Sequence, residues 1–222
     1  MHRMLLLLLT ITDLPAQDAQ NMIGRQSHNI GLTVVPTKGS VNVDGKLDEW
    51  DWSGRIWIFA DKLVRNRFSA EVGAMWDNEN LYLAAKWKDP TPAFSDVNPD
   101  FNPNDGWKSD SWQMRIVTDQ TLWLTTWHFA AKKMAVLHHA TWKDPRNARG
   151  GTNEFVLRTN GDSSELGRGA AMKYGIGEDG NGCVQEVRIP WTLLYKTVPE
   201  LKDGFTFQLG NEFLWGDVTG KT

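Results

Sequence analysis

Trp107, Gln113, Arg115 and Gln208 are the residues whose types and spacing could do chemistry in this sequence. Residues 111–118 alternate as a strand does, which puts Gln113 and Arg115 on one face and Trp112, Met114 and Ile116 on the other. Gln208 falls on the polar face of a last strand expected over 204–214, opposite Phe205, Phe207 and Leu209. Trp107 stands just before the first of these strands. An indole plate suits apolar C–H patches, while fixed amide and guanidinium groups suit hydroxyls. Together they fit a ligand carrying both, such as a sugar. The same three polar residues equally suit an ordinary solvated sheet face.

Covalent chemistry has no comparable footing. There is no Gly-x-Ser-x-Gly elbow and no His-Glu-x-x-His pair. Cys183 is the one cysteine and falls in an expected strand, so it reads as a packed thiol rather than a nucleophile. His138 and His139 are adjacent on a strand and point to opposite faces, so they do not chelate jointly. Acids are numerous enough for a glycosidase pair, but none stands in a distinctive setting. Asp96, Asn98, Asp100, Asn102, Asn104 and Asp105 space their oxygens as a calcium loop does, or as a plain polar turn. The glycine of that loop comes one place late for an EF-hand, and its twelfth position is Ser111 rather than Glu.

These residues need a scaffold of short strands. Hairpins are expected over 69–76 with 80–88, and over 111–118 with 122–129. Further strands are expected at 32–36, 134–138, 154–158, 170–174 and 183–189, with a short helix at 190–194 started by Pro190. Residues 89–106 hold four prolines and read as a long loop. Residues 142–151 also read as loop. Asp44-Gly45 marks a tight turn, after which Leu47, Trp50 and Trp52 tuck inward while Asp48, Glu49 and Asp51 stay wet and cap a short helical turn. The fold class is therefore all-β, an antiparallel β-sandwich of jelly-roll type with one or two short helices.

The 222 residues suit one larger all-β domain. A net charge of −3, with both signs interspersed, gives no basic stripe for a nucleic acid. Of the twelve tryptophans, most are expected in the core. Met1-His2-Arg3 followed by an apolar run over 4–12 reads as a secretory signal over 1–19, too short to span a bilayer, with a linker over 20–31. One cysteine allows no intrachain disulfide. Export without disulfides fits a periplasmic or extracellular protein.

Several pieces in order resemble the family 9 carbohydrate-binding modules and the wider DOMON-like group. They are Val43-Asp-Gly-Lys-Leu-Asp-Glu-Trp50, Val72–Trp76 running into Asp77–Leu83, Asp110-Ser-Trp-Gln113, Val187-Arg-Ile-Pro-Trp191 and Gly204-Phe-Thr-Phe-Gln208. The resemblance implies a non-catalytic β-sandwich over 32–222 that holds a sugar end between two aromatic rings. Trp107 matches one ring. Gln113 matches a sugar-bonding acid, here an amide, and Gln208 matches a sugar-bonding Gln. The second ring would come from a loop after the last strand, which Trp215 matches poorly. The domain is accordingly expected to be shortened at its C-terminus, or to be part of a larger parent protein. The same superfamily includes haem b-binding electron-transfer domains resembling the ethylbenzene dehydrogenase haem subunit, whose iron ligands are Met and Lys. Met75 or Met114 would be the methionine here.

Overall fold

A computed structural model describes residues 31–59, 61–91, 93–142, 152–178 and 180–216. The expected leader over 1–19 and nearly all of the expected linker lie outside these residues. The strands are β1 (Val35–Pro36), β2 (Ile56–Ile58), β3 (Ser69–Trp76), β4 (Asn80–Lys88), β5 (Ser111–Val117) and β6 (Thr121–Phe129). They continue with β7 (Met134–Trp142), β8 (Thr152–Arg158), β9 (Glu165–Gly167), β10 (Ala170–Ile176), β11 (Cys183–Pro190) and β12 (Gln208–Leu214). One helical turn, α1 (Trp191–Leu194), follows β11.

Two sheets form. One has the order β1-β3-β4-β11-β10-β9, with β2 also on β3; the other runs β12-β5-β6-β7-β8. Every pairing is antiparallel except β1 with β3. The alternation read from the sequence decides which face meets the other sheet. Val72, Ala74, Leu81, Leu83, Val187 and Ile189 from the first sheet pack on Trp112, Met114, Ile116, Leu122 and Leu124 from the second. All eleven are buried to within 1% of full enclosure. Trp112 stacks on Phe213 at 5.1 Å and 19° and donates its indole N–H to Asn211 Oδ1 at 2.9 Å. Burying an indole contributes several kcal/mol, on the order of 3–5 for truncation to alanine, and here its one polar atom is satisfied.

The all-β sandwich expected from the sequence is observed. The differences are local. β7 runs on to Trp142, because its backbone pairs with all of β6 from Phe129 back to Thr121. β12 starts at Gln208 rather than at 204: Gly204 adopts φ +82 in a turn, and Phe207 packs edge-on against Trp191 before pairing begins. β2 and β9 are three residues each, too short to show a period in sequence. The 43–50 segment behaves as expected, with Trp50 buried, and Asp51 caps the turn at Trp52–Gly54 by accepting from Ser53 N at 3.0 Å. Among the described residues no helix is long and apolar enough to cross a membrane.

Candidate functional site

Directly paired residues share a sheet face, so the register of the five-stranded sheet fixes what its outer face presents. One row across it reads Glu212, Gln113, Thr125 and His138. The next reads Gly210, Arg115, Trp123 and Ala140, and the one beyond it Gln208, Val117, Thr121 and Trp142. Gln113, Thr125 and His138 are buried among their neighbours, whereas Glu212, Arg115 and Gln208 are exposed.

Trp123 is the hub of this face. It donates its indole N–H to Gln113 Oε1 at 3.1 Å. The Arg115 guanidinium lies 4.1 Å from its ring centre, and Trp142 tilts against it at 5.8 Å. With the Gln113 carbonyl engaged, the amide N–H₂ is its remaining hydrogen-bonding end. Beyond Thr125, His138 Nε2 meets Glu154 Oε1 at 2.7 Å.

Trp107 reaches the same face through a backbone device. Gly106 lies on the Trp127 ring so closely that a Cβ there would come within 2.5 Å of it. Trp127 is fully buried, pairs with Ser111 and donates to Val97 O at 3.0 Å. The long loop is thus laid across the outer face and leaves Trp107 at its rim, 45% exposed. Asp110 ties the loop to the segment after β12: its carboxylate accepts from Phe94 N at 3.0 Å and from Gly216 N at 2.5 Å.

The strand register puts Gln113, Arg115 and Gln208 on one face, and Trp107 follows Gly106, which lies on the Trp127 ring. Gln113 and Arg115 are brought together by Trp123. Gln208 continues the face at its far end, four residues along β12 from the partner of Gln113, or roughly 13 Å. Sequence reasoning passed over Trp123 as a hub, weighed His138 only as a chelator, and gave Thr125, Glu154 and Glu212 no place in the site. The hairpin turn held the signal for Thr125: pairing Val117 with Thr121 sets Gln113 opposite Thr125. Glu154 and Glu212 had none, since their neighbours are set by non-local pairing.

Three expectations meet different surroundings. Trp215 packs on Phe68, Trp87 and Phe213 at 6.2–6.3 Å and gives its N–H to Lys88 O, so its ring serves the core end rather than a ligand. Both candidate haem ligands are enclosed: Met114 is fully buried between the sheets, and Met75 is 2% exposed with its sulfur accepting from Asp51 N. A core methionine so packed leaves no space for a macrocycle. In the acidic loop, Asp100 is ion-paired with Lys132 and Arg158, and among the described residues no three His, Cys, Asp or Glu side chains converge on a metal position.

The histidines divide as expected. His139 faces inward, stacked on Phe155 at 4.3 Å, and burial holds its pKa below the usual value. Burial pushes the Cys183 thiol well up, which leaves it unreactive.

A solved family 9 carbohydrate binding module from Caldicellulosiruptor kristjanssonii, in complex with glucose, is similar at a TM-score of 0.45 and 16% identity. The likeness covers 85% of this chain and 81% of that one. Among curated proteins nothing matches. The family described as carbohydrate family 9 binding domain-like matches residues 43–213, and the chain belongs to that family.

Proposed function

We propose that this chain is a non-catalytic sugar-binding module of an exported protein, and that the sugar lies on the outer face of the five-stranded sheet. Trp107 stacks on the apolar face of a sugar ring. Gln113 and Arg115 bond hydroxyls of the sugar, Thr125 and Glu212 stand beside Gln113 to share that work, and Gln208, roughly 13 Å along β12, reaches a further residue of an oligosaccharide. The observation that carries the reading is the half-exposed Trp107 held at the rim of a face whose central row is polar. Family membership supports carbohydrate as the ligand class. Export rests on the charged start and short apolar run of the first residues.

The test is a titration of the purified protein with soluble neutral oligosaccharides, followed by calorimetry and tryptophan fluorescence. Binding is expected, with Trp107→Ala weakening it by up to about tenfold, since stacking on an exposed ring contributes on the order of 0.5–1.5 kcal/mol. An unchanged affinity in Trp107→Ala, or no heat with any sugar tried, overturns the reading.

A further inference from the structure

One edge of the five-stranded sheet is left open. The sheet runs β12-β5-β6-β7-β8, so β12 pairs with β5 on one side only. Among the described residues its other side makes no backbone hydrogen bond. Such a row of N–H and C=O groups is a template for another strand, and folded chains ordinarily blunt it by shortness, a bulge, a proline or a lysine. The remaining edges are blunted: β1 has two residues, β2 and β9 have three, and β8 breaks register against β7. β12 keeps seven residues, Gln208–Leu214, in unbroken register with β5, and contains neither proline nor lysine.

Gly210, near the middle of β12, is a glycine that the fold of a single copy does not require. Its φ is not positive. A Cβ there would meet only Arg115 Cβ and O, at 3.8 and 3.9 Å, which is ordinary contact. Glycine inside a strand weakens it and marks a bulge, a bend or the close approach of another backbone. The unbroken register excludes the bulge. Glu212 is exposed two residues on, on the same face, and among the described residues it forms no ion pair. Arg115, across from Gly210, is exposed too, and its guanidinium rests on the Trp123 ring.

We propose that two copies of this chain associate edge to edge through β12, antiparallel about a two-fold axis at Asn211. Centred there, all seven residues pair: Gln208 with the partner's Leu214, Leu209 with the partner's Phe213, and Gly210 with the partner's Glu212. Leu209 and Phe213 then meet on the inner side, where both already pack on the core. On the outer side one row reads Arg115, Gly210 and the partner's Glu212. Arg115 faces that carboxylate across a bare glycine, roughly 10 Å between Cα positions, a gap that the two side chains span. Symmetry makes this pair twice. A centre at Glu212 would instead set two carboxylates opposite each other, which is destabilising. The match of the strand to itself is what points to a second copy as the occupant. The joined sheet has both outer faces on one side. On the sugar-binding reading, a polysaccharide then meets two sites at once; the pairing itself does not depend on that reading.

A seven-residue strand pair buries less than the ~1,000 Å² of a stable interface, so the dimer is reversible. Its test is sedimentation equilibrium of the full chain at low salt and without sugar, from about 10 µM to about 1 mM. The average mass is expected to rise from one chain toward two, and to rise less at high salt. Arg115→Glu and Glu212→Lys each weaken the association by about tenfold, because each sets like charges together twice. Both residues are exposed, so the variants stay folded. Arg115→Glu and Glu212→Lys combined in one chain restore it. A single-chain mass at every concentration overturns the proposal. So does an association indifferent to either single substitution, or a double variant no better than the singles. With no sugar present, these results stand apart from the sugar titration.

Discussion

At the residue scale, Glu186 shows how one buried group can tie sequence-distant parts together. Its carboxylate is fully buried and accepts from Trp50 Nε1 at 2.7 Å, Gly45 N at 2.6 Å and Asp44 N at 3.0 Å. It holds the 43–50 segment onto the outer face of the larger sheet. Burial pushes its carboxyl from 4.5 up to about 7, against the pull of those three donors. The folded chain therefore keeps a proton that the unfolded chain has lost between these pH values. The group's stabilising contribution is full below about pH 4.5 and is lost as pH rises through 7. Unfolding free energies from urea titrations are expected to fall from pH 5 to pH 8 by about 1–3 kcal/mol more in the wild type than in Glu186→Gln. Equal slopes in the two proteins would remove Glu186 as the cause. The Asp-Gly turn and the buried Trp50 were legible in the sequence; their acceptor was not, because Glu186 lies 136 residues from Trp50.

The element that matters most for the site is the loop leading into β5. Its length and prolines marked it in the sequence as irregular, and the strand after it was legible from alternation alone. What the sequence left open was how the loop lies, and that is set by Gly106 against the Trp127 ring. A methyl group added there must push the loop or the indole aside. Gly106→Ala is expected to cost about 1–3 kcal/mol of stability by overpacking, and to weaken sugar binding by displacing Trp107. Gly39→Ala, where a Cβ meets nothing within 4 Å, is the matched control and leaves both unchanged. Thermal unfolding and calorimetry on the pair check this; a Gly106→Ala protein with wild-type binding would detach Trp107's position from the loop's seat. β7 illustrates the converse limit. Its expected strand stops at 138 and Trp142 reads as the start of a loop, yet pairing with β6 carries the strand through Trp142 and brings that ring to Trp123.

Over the whole molecule, the two inner faces make the core and the two outer faces are free to differ. Trp112, Met114 and Ile116 are invested in packing, and the residues between them, Gln113 and Arg115, face outward. The period of two therefore made both the sandwich and the polarity of the site visible in the sequence. The assembly of that face from β12, β5, β6 and β7 was not, since it depends on which strands become neighbours. The central claim is that sugar occupies this face. It is tested most directly by the indole N–H resonances, one per tryptophan, in nitrogen–proton spectra recorded during titration with a neutral oligosaccharide. The account predicts that the Trp107 and Trp123 signals move together and saturate, while Trp112 and Trp57 stay in place. Saturating binding that leaves Trp107 and Trp123 unmoved would contradict it.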